Sequence, residues 1–148
     1  MTFILGIGDR HLDNLMMKPN GQFFHLDFGF ILGNDPKPLP PPFRFIPEFL
    51  DAMGGQDGVH YNRFKKICCQ AYLILRQHAS LLISMVSLMV DAGIQDLASD
   101  PAVRLQKLEE KFALHLNDEN AEAYFISLIN QVLSQKYYLN TLEFFHKV

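Results

Sequence analysis

The sequence predicts an α+β fold that is mainly helical, with one small β-hairpin near its N-terminal end. Three observations carry this. Apolar residues recur at three- and four-residue spacing over most of residues 61–132. A single strand–turn–strand signature occupies Leu15–Leu26, with Lys18-Pro19-Asn20-Gly21 as the turn. Six of the eight prolines fall between residues 28 and 49, which keeps that stretch irregular and separates the hairpin from the helices. With 148 residues and 49% hydrophobic content, the chain suffices for one domain with its own core, residues 1–148.

In chain order, Phe3-Ile4-Leu5 ends an element that enters residues 6–14, where Gly6 and Gly8 allow a tight path. Leu15-Met16-Met17 and Phe23-Phe24-His25-Leu26 are the strands; Pro19 pre-sets φ at the second turn position, Asn20 tolerates the third and Gly21 suits the exit. In the loop that follows, Pro36, Pro38, Pro40, Pro41 and Pro42 exclude a helix and disfavour a central strand. From residue 47 the chain is expected to be helical. Pro47–Met53 is a short helix with proline in its first turn and Gly54-Gly55 as its stop. Tyr61–His78 aligns Phe64, Ile67, Cys68, Ala71, Tyr72 and Leu75 on one face. Ala79–Ala92 is apolar nearly all round, which predicts a helix buried at the centre and stopped at Gly93. Ser99 or Asp100 caps the next helix, with Pro101 in its first turn and Val103, Leu105, Leu108 and Phe112 inward. Asn117 or Asp118 caps another, whose stripe is Ala121, Tyr124, Phe125, Leu128, Ile129 and Val132. The tail, 137–148, suits an amphipathic helix.

The chemistry concentrates in residues 6–29, GIGDRHLDNLMMKPNGQFFHLDFG. Asp9-Arg10-His11 with Asn14 stands on one side of the hairpin, and Asp27-Phe28-Gly29 on the other. The hairpin carries Asn14 and Asp27 at adjacent strand ends, so an amide and a carboxylate can converge. Two oxygen ligands from two loops, with room left for phosphate oxygens and water, suit Mg²⁺ beside a nucleotide. Taken singly, each residue has a bland explanation: Asp9 a cap, Arg10 an ion-pair partner, His11 a structural histidine, Asn14 and Asp27-Phe28-Gly29 turns. Jointly, those explanations need several coincidences.

Protein kinases carry H-R-D-x-x-x-x-N followed by D-F-G, with the Asp as base and the Asn on metal. Asp9 precedes Asn14 by that same interval, but Asp9-Arg10-His11 inverts the order. D-R-H-x-x-N followed by H-x-D-F-G resembles the phosphatidylinositol 3-/4-kinase superfamily, which includes the PI3K-related protein kinases. More narrowly, Ile31-Leu32-Gly33-Asn34-Asp35-Pro36-Lys37-Pro38-Leu39-Pro40-Pro41-Pro42 resembles the activation loop of class III phosphatidylinositol 3-kinases, the vacuolar-sorting and autophagy type. The likeness continues through Leu88–Ile94, Lys111-Phe112 and Asp118-Glu119, to about Gln135. It departs at Asn34, where the family usually has a basic residue.

The resemblance implies a kinase-like C-terminal lobe with a catalytic loop at 6–14, D-F-G at 27–29, an activation loop over 27–46 and a helical remainder over 47–148. Only eight residues precede Asp9, so the N-terminal lobe, with its phosphate-covering loop, lysine and hinge, is expected to be absent from this chain. The implied reaction moves the γ-phosphoryl group of ATP to the 3-hydroxyl of phosphatidylinositol, with ATP and Mg²⁺ (or Mn²⁺) as cofactors. Asn14 and Asp27 then hold the metal, and Arg10, Phe28 and Gly29 are structural neighbours. The family favours His11 as base or orienting group, the spacing favours Asp9, and the sequence leaves that choice open. Lys37 is the expected phosphate contact. Family members end in a helix that regulates the site and touches membrane, so the tail is expected to face a membrane or to pack on the lobe. A phosphatidylinositol 4-kinase or PI3K-related protein kinase shares both motifs but fits the loop after Gly29 poorly. A non-catalytic fragment or interaction module is the alternative from another class. An SH3 ligand at Pro38-x-x-Pro41 is disfavoured by its place directly after D-F-G.

Charge narrows the partners. From Phe28 to Ile46 the only basic residues are Lys37 and Arg44, enough for one phosphodiester but not for two further ring phosphates. The net charge of −3 gives no reason to expect nucleic acid. Cys68 and Cys69 are adjacent within a helical stretch and read as small apolar residues of a reducing compartment. No basic-then-apolar leader opens the chain, and Ala79–Val90, interrupted by three serines, is too short to span a bilayer. Together with these observations, the resemblance implies a cytoplasmic protein, peripheral on endosomal or autophagic membranes and accompanied by regulatory subunits.

Overall fold

The structure, a computed structural model, describes residues 1–134. Ten short elements follow one another: helix α1 (Thr2–Leu5), a 3₁₀ turn (Leu12–Asn14), strands β1 (Leu15–Met17) and β2 (Phe23–His25), then helices α2 (Pro47–Ala52), α3 (Val59–Gln77), α4 (Ala79–Ser87), α5 (Gln95–Ala98), α6 (Pro101–Glu110) and α7 (Asp118–Ser134). The mainly helical α+β expectation holds. The expected tail helix lies outside the described residues. Contacts gather into two units, one of Met1–Phe43 with His78–Leu114, the other of Arg44–Gln77 with residues 115–134.

The first unit holds the hairpin. Its strands are antiparallel, with Leu15 opposite His25, Met16 opposite Phe24 and Met17 opposite Phe23. The turn forms where the sequence places it: the Gly21 amide donates to the Lys18 carbonyl at 2.9 Å, and Gly21 takes a φ of 83°. Below it, Phe3, Ile4, Leu32, Leu97, Leu108, Phe112 and Ala113 are buried. Asp100 caps α6 by accepting from the Val103 amide at 3.4 Å, and Pro101 occupies the first turn.

Helix α4 corrects an expectation. It ends at Ser87, short of Ala92, and is not enclosed: Leu81, Met85, Leu88 and Met89 are exposed, and Ala79 is its one buried residue. It packs against α6 on one side. An apolar run fixes that a helix will seek cover, but composition cannot say how much of its surface the neighbouring residues supply.

The second unit is built on α3 against α7, where the rings of Tyr72 and Phe125 stack at 4.6 Å. Phe45, Tyr61 and Phe64 form a ring cluster at its other end. Asn117 starts α7 by accepting from the Asn120 amide at 2.8 Å, and of the expected stripe Ala121, Phe125, Leu128, Ile129 and Val132 are buried while Tyr124 is half-buried at its margin. On α3 the buried face is rotated from the expected one. Tyr61, Cys69, Tyr72 and Arg76 are inside, while Ile67 is exposed. That face includes Arg76, a charged residue that the apolar pattern passes over: its guanidinium donates to Asp118 at 2.7 Å and to the Leu116 carbonyl at 2.5 Å. Both cysteines are free, and burial pushes the Cys69 thiol up to about 11, with Glu122 adding to the effect.

Two outcomes test this packing. Arg76→Ala leaves Asp118 and the Leu116 carbonyl unmatched and is expected to cost about 2–3 kcal/mol in urea unfolding, toward the low side for a buried pair because Asp118 itself is largely exposed. Lys111, beside the Phe3 ring, is held down at about 8 by burial and then by Lys107. The unfolded chain therefore keeps that proton to higher pH than the folded one, so Lys111 adds a contribution to stability that rises as pH climbs from about 8 toward the ordinary lysine value of 10.5, against the opposite contribution of the raised Cys69 thiol. Lys111→Met should remove that rise from a pH series of melting curves.

Candidate active site

Two left-handed turns set the site. Asp9 has a φ of 49° and Asp27 a φ of 57°, a region that costs an L-residue roughly 1–2 kcal/mol and that Asp tolerates better than most. Asp27 steadies itself: its Oδ1 accepts from the Gly29 amide at 2.9 Å, so the D-F-G turn closes on its own first residue. Any side chain at residue 29 would crowd that carboxylate, its Cβ lying 3.2 Å from Oδ1.

Arg10 joins the two loops. Its Nε donates to the Gly8 carbonyl at 2.6 Å, one terminal nitrogen to the Leu26 carbonyl at 2.7 Å, and the other to the Asp27 carbonyl. A guanidinium is the side chain suited to this, because its donors form a rigid fork. Arg10 thus bridges backbone carbonyls of both loops. The same guanidinium lies 5.8 Å from the centre of the Phe28 ring, which is otherwise largely exposed.

The hairpin register brings Asn14 and the D-F-G turn side by side: the Leu26 amide donates to the Asn14 carbonyl at 2.9 Å, one residue before Asp27. Asn14 is buried, and its Nδ2 donates to the Asp9 carbonyl at 3.0 Å. That bond fixes the amide and leaves Oδ1 as a hard oxygen that could serve as a metal donor. Asp27 is exposed and keeps its second carboxylate oxygen for the same use. Among the described residues no three His, Cys, Asp or Glu side chains cluster as a metal cage. Mg²⁺ beside nucleotide phosphates needs none, since it takes one or two protein oxygens and fills its octahedron with phosphate and water. The donor set fits.

His11 sits between two carboxylates, with Nε2 3.7 Å from Asp9 Oδ2 and Nδ1 3.7 Å from Asp13 Oδ2. Both separations exceed hydrogen-bond length, so neither locks the ring. His25, of the H-x-D-F-G motif, is held below its ordinary value by burial and then by Arg10, so at neutral pH it is an uncharged strand residue.

Two carboxylates that the motif reading passed over anchor the next loop. Asp35 accepts from the Asp9 amide with one oxygen and from the Lys37 amide with the other, both at 2.9 Å. Asp96, at the start of α5, accepts from the Ile31 amide at 2.9 Å and from Asn34 Nδ2 at 2.5 Å. Their sequence signal was weak: Asp35 stands before a proline and Asp96 in an ordinary first helical turn. Asn34, at the position where a cation was expected, meets Asp96 with a neutral amide. Lys37 itself is exposed, immediately past this anchored base. The close approach also explains two glycines. A Cβ at residue 8 would lie 2.3 Å from the Asn34 carbonyl oxygen, and one at residue 6 would lie 2.5 Å from the Gly33 nitrogen.

Comparison with known proteins shows the family. The model of the family described as phosphatidylinositol 3- and 4-kinase matches residues 1–99. Among curated proteins, the phosphatidylinositol 3-kinase nodule isoform of Glycine max is 52% identical over 134 residues, which is 90% of this chain and 16% of that protein. The phosphatidylinositol 3-kinase VPS34 of Arabidopsis thaliana is 50% identical over the same share of each. That of Saccharomyces cerevisiae is 45% identical over 130 residues, 88% of this chain and 15% of the relative. The chain therefore spans about a sixth of the length of the curated relatives it matches.

Asp35→Ala tests the anchoring. It deprives two amides of their acceptor, so the Asp9 and Lys37 amides are expected to lose protection in hydrogen exchange, while the Gly21 amide in the hairpin turn keeps its own. The accompanying stability loss should be about 1–3 kcal/mol.

Proposed function

The chain belongs to the phosphatidylinositol 3- and 4-kinase family, and from that premise we propose that it is the C-terminal lobe of a class III-like phosphatidylinositol 3-kinase catalytic domain. The reaction is transfer of the γ-phosphoryl group of ATP to the 3-hydroxyl of phosphatidylinositol. The observation that carries this reading is the juxtaposition of Asn14 with the D-F-G turn by the hairpin register, at the spacing of the D-R-H-x-x-N and D-F-G motifs.

Each residue then has a task. Asn14 Oδ1 and the Asp27 carboxylate would hold Mg²⁺ (or Mn²⁺), which supplies charge neutralisation at the transferring phosphoryl group. Arg10 keeps their two loops in register by holding the Gly8, Leu26 and Asp27 carbonyls together. His11 accepts the proton of the attacking hydroxyl, and Asp9 orients the ring from 3.7 Å, a gap that substrate can close. Lys37 meets the phosphodiester of the lipid. With Arg44 as the only other cation from Phe28 to Ile46, phosphatidylinositol without further ring phosphates is the acceptor the loop can neutralise.

Action on a lipid places the protein at a membrane surface. No described helix is long and apolar enough to cross one. Peripheral attachment to endosomal and autophagic membranes, in company with regulatory subunits, completes the proposal.

The assay is lipid phosphorylation by a polypeptide that joins this chain to the rest of a catalytic domain. Asn14→Ala and Asp27→Ala should each abolish metal-dependent turnover. His11→Ala should lower turnover by about 10²–10⁴-fold with ATP affinity nearly unchanged. Wild-type turnover in His11→Ala, with a folded but inactive Asp9→Ala, would move the base to Asp9. Lys37→Ala should depress lipid phosphorylation more than basal ATP hydrolysis. On vesicles of matched surface charge, phosphatidylinositol should be preferred over its 4,5-bisphosphate. Equal or faster turnover of the bisphosphate would refute the class III assignment.

A further inference from the structure

The loop after Gly29 ends in an anomaly. Leu39 is 98% exposed, the highest value for a large apolar side chain among the described residues. It also takes a φ of 53°, a left-handed conformation unfavourable for leucine. Full exposure and backbone strain are both costly in water, and they coincide at one residue. Pro38 and Pro40 on either side are exposed too, and each fixes its own φ, so the tip keeps its shape without a packed partner. Its base is held: Asp35 binds the Asp9 and Lys37 amides, and Asp96 binds Ile31 and Asn34. A preformed apolar tip is thus mounted on an anchored base beside the catalytic loop, with the ammonium of Lys37 two residues below it.

We infer that Leu39 and its flanking prolines enter the hydrocarbon boundary of a phosphatidylinositol-bearing bilayer and so seat Lys37 at the level of the lipid phosphodiesters. This rests on the lipid-kinase reading, because a hydroxyl on an unextracted lipid is reached only by a loop lying at the headgroup layer. The chemistry matches that layer in order of depth. Leucine and proline rings are apolar and go deepest; a lysine stem spans the boundary and leaves its ammonium among phosphates. The loop has no aromatic ring or further cation between Ile31 and Pro42, which suits fluid lipid better than a shaped protein pocket. The strain at Leu39 is stored in the free protein, so no ordering of the tip remains to be done on contact.

The sequence contains no tryptophan, which gives a clean test. Leu39→Trp is a single fluorescent reporter at a position where added bulk meets only solvent. Leu88→Trp, at an 84%-exposed residue just past α4, is the companion reporter. Both chains, checked for native circular dichroism, are titrated with phosphatidylcholine vesicles containing phosphatidylinositol, and with vesicles whose acyl chains are brominated. The expected result is a blue shift and bromine quenching for Leu39→Trp, and little of either for Leu88→Trp. In the tryptophan-free chain, Leu39→Ala should weaken vesicle partitioning by roughly five- to tenfold. Emission of Leu39→Trp that stays at the water-exposed wavelength overturns the inference, as does equal burial of both reporters, which would mean general adsorption. The readout needs no turnover, so the two readings fail separately. Phosphorylation of lipid by the joined polypeptide without insertion removes this inference alone; insertion with no phosphorylation by that joined polypeptide removes the kinase reading and leaves the membrane contact standing.

Discussion

One guanidinium ties the site together. Arg10 donates to the Gly8, Leu26 and Asp27 carbonyls, so a single side chain spans the loop before the 3₁₀ turn and the loop after β2. The carboxylate and the amide that would share a metal come from these two loops, thirteen residues apart in sequence, as Asn14 and Asp27. Their separation is set by backbone bonds: the ladder from Leu15 to Met17, extended by the Leu26 amide on Asn14, and closed by Arg10. Neither Asp9 nor Asp27 is in a comfortable conformation. Such strain persists where surrounding bonds over-determine it, and here the bonds that do so are those of Arg10, Asn14 and Gly29.

The loop that follows is organised by the opposite charge. Asp35 and Asp96 each place two oxygens on donors of the loop or of residues 6–14, and three of those four donors are backbone amides. Carboxylates are suited to this because each has two oxygens and several lone pairs, so one side chain can satisfy two strands of irregular backbone. The result is a loop fixed over residues 31–37 and projecting beyond. Gly6 and Gly8 are the counterpart on the other side, giving the close approach that any Cβ would forbid.

The helical part shows how far the apolar pattern reaches. The stripe of α7 and the caps at Asp100 and Asn117 follow from local sequence, because a cap needs one side chain and three residues of backbone. The face of α3 does not. Arg76 is held inside by Asp118 and the Leu116 carbonyl, forty or more residues away, and it lies on the face that is buried. Helix α4 has the composition of a core helix and the exposure of a partly covered one, since cover is a property of neighbours.

By itself, the sequence determined the class of the fold, the hairpin and its turn, and which residues are candidates for the site. Asp9, Arg10, His11, Asn14 and Asp27-Phe28-Gly29 are legible because their spacing is local and chemistry constrains which residue types can hold a metal or move a proton. Tertiary structure alone decided what holds those residues in place. That Arg10 meets carbonyls, that Asp35 and Asp96 hold the loop, and that α3 buries an arginine all depend on contacts between residues sixteen to sixty-five positions apart. A hydrogen bond across such a distance leaves no periodic trace in the chain, because either partner is an ordinary residue until the fold brings the other within 3 Å.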